Sequence, residues 1–315
     1  GDAGPDRGLI MSANNTVRAL TAPVLLLAAA LPCAAEAETT PSTWETALTE
    51  TKPIFEARLR YEGVEQDGLP EDASALTYRF RAGFETGKIY DTKLLVEFDH
   101  IDDLIDDFNS TINGKTGYPV VADPNATELN RFQLTNTSLP DTTITLGRQR
   151  IGLDDARFVG NVGWRQNEQT FDGARIQNSS LGELKIDLTY IAQINRIFGD
   201  DSAAGRWDGD TYLLNLSHPT PIGTLTGFAY QIDVDNAGGI FSSQTLGARL
   251  AGKQAIGTGS LGYTLSYATQ SDYGSSTLDY SADYYLVEGT YSANSITVGA
   301  GIEVLGGDSA RGFQT

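Results

Sequence analysis

Cysteine is nearly missing from this chain: Cys33 is the only one in 315 residues, beside two histidines and one methionine. A disulfide framework is therefore excluded, and His100 and His218 sit in no recognisable nucleophile or zinc motif. Positive charge is also scarce. Twenty-two Lys and Arg face 41 Asp and Glu, a net of −19 with an isoelectric point near 4.4. A nucleic-acid partner is excluded on that balance, because phosphate binding needs a net basic face. After residue 37 there is no run of 18 apolar residues, so a helical membrane protein is excluded too. Sustained helical periodicity is missing as well. What is plentiful is glycine, with 34, and tyrosine, with 14, a composition that favours β structure.

Residues 1–10 precede Met11 and read as an upstream extension. From Met11, Arg18 stands before the apolar run Leu20 to Leu31, which is followed by the small-residue site Ala35-Glu36-Ala37. That order of charge, apolar run and cleavage box predicts a secretory signal peptide over 11–37, since the run is shorter than the roughly 20 residues a spanning helix needs. Lipidation at Cys33 is disfavoured by Pro32. Cleavage leaves 20 basic against 38 acidic residues and no cysteine, so the exported chain must be held by its own core or by a membrane. Residues 38–51 are expected as an N-terminal periplasmic segment and 52–315 as the folded domain.

Within 52–315 the recurrent pattern is period-two alternation bounded by turn residues. In "FEARLRYEG" (55–63), Ala57, Leu59 and Tyr61 alternate with Glu56, Arg58, Arg60 and Glu62; in "LTYRFRAGFETG" (76–87), Tyr78, Phe80, Ala82 and Phe84 alternate with Arg79, Arg81 and Glu85. "TKLLVEFDH" (92–100) sets Leu94, Val96 and Phe98 against Lys93, Glu97 and Asp99, and similar stretches recur as far as "SITVGAGIEVLG". Short turns at 87–91, 139–142, 181–184, 219–224 and 293–295 take turns with long polar loops at 101–127, 152–170, 199–209, 233–243 and 271–281. Short turns at one end and long loops at the other are the plan of bacterial outer-membrane barrels.

Alternation alone does not separate a membrane barrel from a soluble sandwich. Strands of about 10 residues, aromatic residues near strand ends and a leader without mature cysteines favour the barrel. The predicted fold is thus all-β: an antiparallel transmembrane β-barrel in the outer membrane of a Gram-negative cell. About thirteen strands can be read, whereas single-chain bacterial barrels close with an even number, roughly 16–18 for a porin-sized one. The last strand runs into "GDSARGFQT", so the chain is expected to be a C-terminally truncated fragment.

The polar strand faces direct Arg58, Arg60, Arg79, Arg81, Arg131, Arg175 and Lys185 to the lumen. The segment "GRQRIGLDDARFVGNVGWRQNEQTFDG" (147–173) adds Arg148, Arg150, Arg157 and Arg165. Arginine stays charged and binds carboxylates bidentately, which suits a pore for anions. Glu56, Glu85, Glu97, Asp99 and Asp187 share the same faces, so a ladder of cross-strand ion pairs that merely stabilises a polar lumen is the competing account. Arg157 and Arg165, on a loop with room to fold inward, are the preferred solute contacts. One detail conflicts. Ile144 and Leu146 share parity with Arg148 and Arg150, so a regular strand would aim both arginines at lipid. Either a β-bulge at Gly147 resets the parity, which is the expectation, or the strand has already left the hydrocarbon.

With "GYPVVADPNATELN" (117–130) and "GDSARGFQT" (307–315), the arginine segment resembles the alginate-export family of outer-membrane barrels, in which G-R-Q, R-F-V-G, W-R-Q-N and Q-T-F-D occur in this order. The resemblance covers most of 52–315. It implies a monomeric porin-like barrel whose wall and inward-folded loops form a positive pore for an anionic polysaccharide, such as a polyuronate, or for smaller anionic or polar solutes. Neither enzyme activity nor a cofactor nor a metal is expected. The acidic cluster Asp102, Asp103, Asp106 and Asp107 lacks EF-hand spacing and is expected as a solvated outer loop facing lipopolysaccharide. Two other readings stay open: a plugged structural or adhesive barrel, and a soluble secreted carbohydrate-binding β-domain.

Overall fold

A computed structural model describes residues 18–21, by their backbone alone, and 43–315. The rest of the expected upstream extension and leader lies outside the described residues. In chain order the elements are β1 (Arg18–Thr21), α1 (Thr43–Thr49), β2 (Lys52–Glu65), β3 (Ala73–Glu85), β4 (Thr92–Asp107), β5 (Ala126–Asn136) and β6 (Thr142–Gln149). There follow β7 (Thr170–Leu181), β8 (Leu184–Asn195), β9 (Arg206–Thr220), β10 (Gly223–Ile232), β11 (Ser243–Ile256), β12 (Gly259–Asp272), β13 (Ser281–Ala293) and β14 (Ile296–Leu305). Each strand pairs antiparallel with the next, so all fourteen form one sheet in sequence order, and β2 to β14 are the thirteen expected from the alternation. The sheet is open: among the described residues, β1 and β14 each have a partner on one side only.

Alternation along each strand separates two faces. On β3, Phe80 is 47% exposed between Arg79 and Arg81, each 4% exposed. Leu59, Phe98, Phe132, Leu146, Ile176, Leu188, Leu225, Leu246 and Leu265 continue the exposed apolar belt around the sheet. An apolar band of that extent is stable against lipid and not against water. Towards the end of the long loops the belt finishes in tyrosines whose hydroxyls donate to carboxylates: Tyr78 to Asp102 at 3.3 Å, Tyr190 to Asp210 at 2.7 Å, Tyr267 to Asp283 at 3.0 Å. This is the interfacial girdle, an apolar ring with a wet tip.

The connections sort by length as the sequence predicts. Tight links such as 182–183, 257–258 and 294–295 lie at one end; Asn294 and Ser295, with φ of 47° and 67°, make the last a primed two-residue turn matched to strand twist. At the other end lie the connections 108–125, 150–169, 196–205, 233–242 and 273–280. Helix α1 sits at the tight-turn end, where Gly87 N–H donates to the Ala47 carbonyl at 2.9 Å.

One boundary differs from expectation. The acidic run 100–107 belongs to β4 and not to a loop, because a bulge at Leu104 lets pairing with β3 continue: Thr77 faces Asp103, and Leu76 faces Ile105. Asp106 meets Lys115 at 2.8 Å. The loop proper begins at Phe108, which turns inward and packs with Val64, Ala73, Ala75 and Val121.

Candidate functional site

The connection 150–169 does not rise away from the barrel. It folds into the lumen and is fastened to both walls by different chemistry. Its first half is apolar: Ile151, Leu153 and Val159 join Phe171, Ile191, Leu213, Phe228, Tyr230, Tyr284 and Phe313 in one buried cluster. Phe158 packs against this cluster, 5.1 Å from the Tyr284 ring and 5.3 Å from Phe228. The inner surface beneath this part of the loop is therefore a hydrophobic core between loop and wall, which period-two alternation does not announce.

The second half of the loop docks on the charged wall. Arg58 Nη1 donates to the Gly163 and Arg165 carbonyls at 2.9 and 3.2 Å, and its Nη2 to the Trp164 carbonyl. Arg79 Nη1 donates to the Gln166 carbonyl at 2.9 Å. Gln166 is fully buried; its amide donates to the Thr77 carbonyl and hydroxyl at 3.0 Å, and its backbone N–H to Asp123 at 2.9 Å. Asp123, also fully buried, accepts from Arg60 and so ties the connection 108–125 into the same network.

At the centre lies Glu168. It accepts from Arg81 at 2.9 Å, Asn130 at 2.6 Å and Asn161 at 2.9 Å, and pairs with Arg150. Burial by itself would push this carboxyl up, but Arg81 and Arg150 outweigh burial and hold it below the usual carboxylate range. Arg81 also lies bidentate on Asp99 at 2.6 and 2.7 Å, and Arg131 on Glu97 at 2.9 and 2.6 Å. Arg175 pairs with Asp187 across β7 and β8. The cross-strand ladder weighed from sequence is present on the wall.

The two preferred loop arginines are likewise paired. Arg165 meets Glu62 at 3.0 Å and stacks 4.1 Å from the Trp164 ring; Arg157 meets Glu303 at 2.7 Å and the Thr315 hydroxyl at 3.1 Å. Burial lowers the Arg165 guanidinium's pKa, with Asp123 and Glu62 opposing it. Among the described residues, the arginines with no carboxylate in ion-pair range are Arg58, Arg196 and Arg311. Sequence reasoning passed over Arg196 and Arg311, and also Asp123 and Glu168. The signal for Arg196 is present in "INRIF": an arginine just past a strand end, with Ile194, Ile197 and Phe198 close by and no acidic residue among them.

Arg148 and Arg150 part company, which corrects the expectation that a bulge at Gly147 turns both inward. Register runs through Gly147 without a shift on either side, facing Gln133 on β5 and Gly173 on β7. Arg148 therefore keeps the outward parity of Leu146, opposite Phe132 and Asp172, and does not line the lumen. It is bidentate to Asp172 at 2.7 and 2.8 Å and donates to the Leu129 carbonyl at 3.0 Å. A polar notch there also holds Gln193, Asp200, Ser202 and Arg206, so the strand has reached the wet rim, where an outward charge costs only about 0–1 kcal/mol. Arg150 faces inward because β6 ends at Gln149 and the chain has turned. Arg148→Gln is expected to leave ion selectivity unchanged in planar bilayers; a shift in reversal potential would place Arg148 on the solute path after all.

Two cavities of about 660 Å³ each flank the loop. The one towards the tight turns is polar, lined by Thr143, Asp154, Arg175, Gln177, Lys185, Asp187 and Asn215. The one towards the long loops is aromatic and cationic, lined by Phe171, Trp207, Phe241, Arg157, Arg196 and Arg311 among others.

The sequence profile described as alginate export matches residues 103–300. No curated protein matches the chain. Among solved structures, a BenF-like porin from Pseudomonas fluorescens Pf-5 is similar at 15% identity and a TM-score of 0.61, covering 81% of this chain and 68% of that one. OccAB1 of Acinetobacter baumannii is similar at 14% identity and a TM-score of 0.64, covering 82% and 66%. OpdK of Pseudomonas aeruginosa, solved with vanillate, is similar at 16% identity and a TM-score of 0.60, covering 81% and 67%. The chain spans about two thirds of the length of these proteins, and likeness at this identity establishes a common fold, the outer-membrane porin barrel.

Proposed function

Because the chain belongs to the alginate-export family, we propose that it is an outer-membrane channel whose lumen, narrowed by the inner loop 150–169, passes small anionic or polar solutes. The observation that carries this reading is the inner loop 150–169, held against an arginine-bearing wall and flanked by two cavities of about 660 Å³. A solute losing water in so narrow a path is compensated by guanidinium donors that stay charged. Export of a polyuronate such as alginate is the finer member of the same reading. A polymer would have to displace or thread past Trp164 and Gln166, whose backbone is held by Arg58 and Arg79, so small solutes are favoured. The barrel is taken as monomeric and seated among outer-membrane lipid and lipopolysaccharide, after cleavage of its leader.

The doubly fastened loop also supports a second reading, a plugged structural barrel. Reconstitution into planar bilayers and liposomes separates the two. The channel reading expects discrete conductance steps, a reversal potential on the anion side in a salt gradient, and swelling with small sugars. Silent bilayers and unswollen liposomes would leave the plugged barrel standing; conductance with a cation preference would remove the anionic solute class.

A further inference from the structure

Arg58 stands apart from the guanidinium groups around it on the charged wall. Arg60, Arg79 and Arg165 are answered by Glu62, Asp123 and Glu56, so four cations share three carboxylates and the one left over is Arg58. Its donors go to neutral acceptors, the carbonyls of the three successive residues Gly163, Trp164 and Arg165. Those carbonyls belong to a tight turn, closed by the Arg165 N–H on the Val162 carbonyl at 3.0 Å. Apart from Arg58 the turn is lightly held. The buried apolar cluster of the loop stops at Val159, Trp164 is 56% exposed, and the remaining ion pair from turn to wall is made by the flexible Arg165 side chain with Glu62. Val162, at the start of the turn, has φ of 50°, a left-handed conformation that strains a β-branched residue. Just past the end of the turn the chain is fixed, since Gln166 is fully buried and bonded to Thr77 and Asp123.

We infer that Arg58 is an exchange point: a singly charged oxyanion in the lumen takes its donors, the three carbonyls let go, and the turn Val162–Arg165 swings Trp164 away from the wall. Hydrogen bonds from a cation to an ionised acceptor are roughly twice as strong as neutral ones, so an oxyanion displaces carbonyls where it would not displace the carboxylates on Arg60, Arg79 or Arg165. Two oxygens in one plane match the guanidinium fork, which a spherical ion does not. A single negative charge balances the cluster; a second would unbalance it again. Release also lets Val162 leave its strained conformation, while the anchored Gln166 confines the movement to the turn. Trp164 lines the cavity towards the long loops, so the turn is a lid that an arriving anion opens for itself. The inference rests on the reading of the lumen as an anion path and adds how that path is opened.

The test follows tryptophan emission of the full chain in detergent while formate replaces chloride at constant ionic strength. A saturable shift is expected, and Trp164→Phe, which leaves Trp44 and Trp207 in place, is expected to abolish it. Arg58→Gln is expected to start from the shifted emission and to respond no further. Arg58→Lys, which keeps the charge without the planar fork, is expected to need at least about tenfold more formate. Heat-dependent gel mobility shows whether each variant is folded. Amide hydrogen exchange of the unaltered protein needs no variant: residues 162–165 are expected to exchange faster in formate, because the turn opens as Val162 relaxes. An unaltered protein with no saturable shift, or with unchanged exchange over 162–165, would overturn the lid whatever the variants do. A shift that survives folded Trp164→Phe, or a formate response kept by folded Arg58→Gln, would overturn it too. Conductance recorded on the same protein keeps the two claims apart. Channels with an unresponsive turn remove the lid and leave the channel; a responsive turn in silent bilayers leaves the exchange at Arg58 and removes the path.

Discussion

Glu168→Ala is expected to loosen the inner loop from the charged wall and to cost about 1–3 kcal/mol of stability, the usual penalty for leaving buried donors without an acceptor, since Arg81 keeps Asp99 and Arg150 keeps Glu97. Arg81 and Arg150 would lose a shared carboxylate, and the amides of Asn130 and Asn161 an acceptor, at a residue 4% exposed. Thermal unfolding followed by gel mobility measures the stability loss. Single-channel recording measures the functional one: larger and noisier conductance steps, because the segment carrying Trp164 to Gln166 would no longer be held across the path. Unchanged conductance with lowered stability would mean that this loop does not limit flow. Acidification should act in the same direction. Glu168 is held below the usual carboxylate range, so its contribution is complete above that range and is lost as pH falls through its depressed value. Conductance noise should therefore grow only in acid below the ordinary glutamate titration.

Gly147→Ala is expected to cost about 1–3 kcal/mol, through backbone strain and a clash, without altering any charge. Gly147 has φ of 102°, a conformation that L side chains rarely adopt, and a Cβ there would fall inside contact distance of the Phe132 carbonyl oxygen on β5. The strain would open the β5–β6 pairing next to the point where the chain leaves the wall for the lumen. Lowered unfolding temperature together with faster proteolysis of 150–169 is the expected result. A variant as stable as the parent would mean that the strand tolerates another conformation there, and that the separation of Arg148 from Arg150 does not depend on this glycine.

Much of the fold was legible because a β-barrel wall is a local code. Successive side chains point to opposite faces, so "YRFRAGF" states without any tertiary knowledge that Tyr78, Phe80 and Phe84 share one face and Arg79 and Arg81 the other. Strand number, loop sorting and the tyrosine girdle follow from the same period. The lumen arginines of β2 to β5 and of β7 were legible for that reason, and their ion-pair ladder nearly so, since facing strands carry opposite charges on the same parity.

The loop escaped this code. Parity ends where β6 ends, and nothing local says that Arg148 stays outside at the rim while Arg150, two residues on, meets Glu97 and Glu168 inside. Arg157 and Arg165 attract attention as lone charges in a glycine-rich stretch, yet their partners Glu303 and Glu62 lie 146 and 103 residues away. Arg196 and Arg311 were passed over because each stands near a single aromatic residue in sequence; only the pairing of β9, β10 and β11 sets Trp207 beside Phe241, with Arg196 and Arg311 over the two rings. The sequence by itself determined an acidic, disulfide-free antiparallel barrel with an arginine-bearing inner face, since alternation and composition are properties of neighbours along the chain. Which of those arginines are neutralised and which are left open was decided only by the tertiary structure, because ion pairing depends on distances in space between residues that the chain keeps far apart.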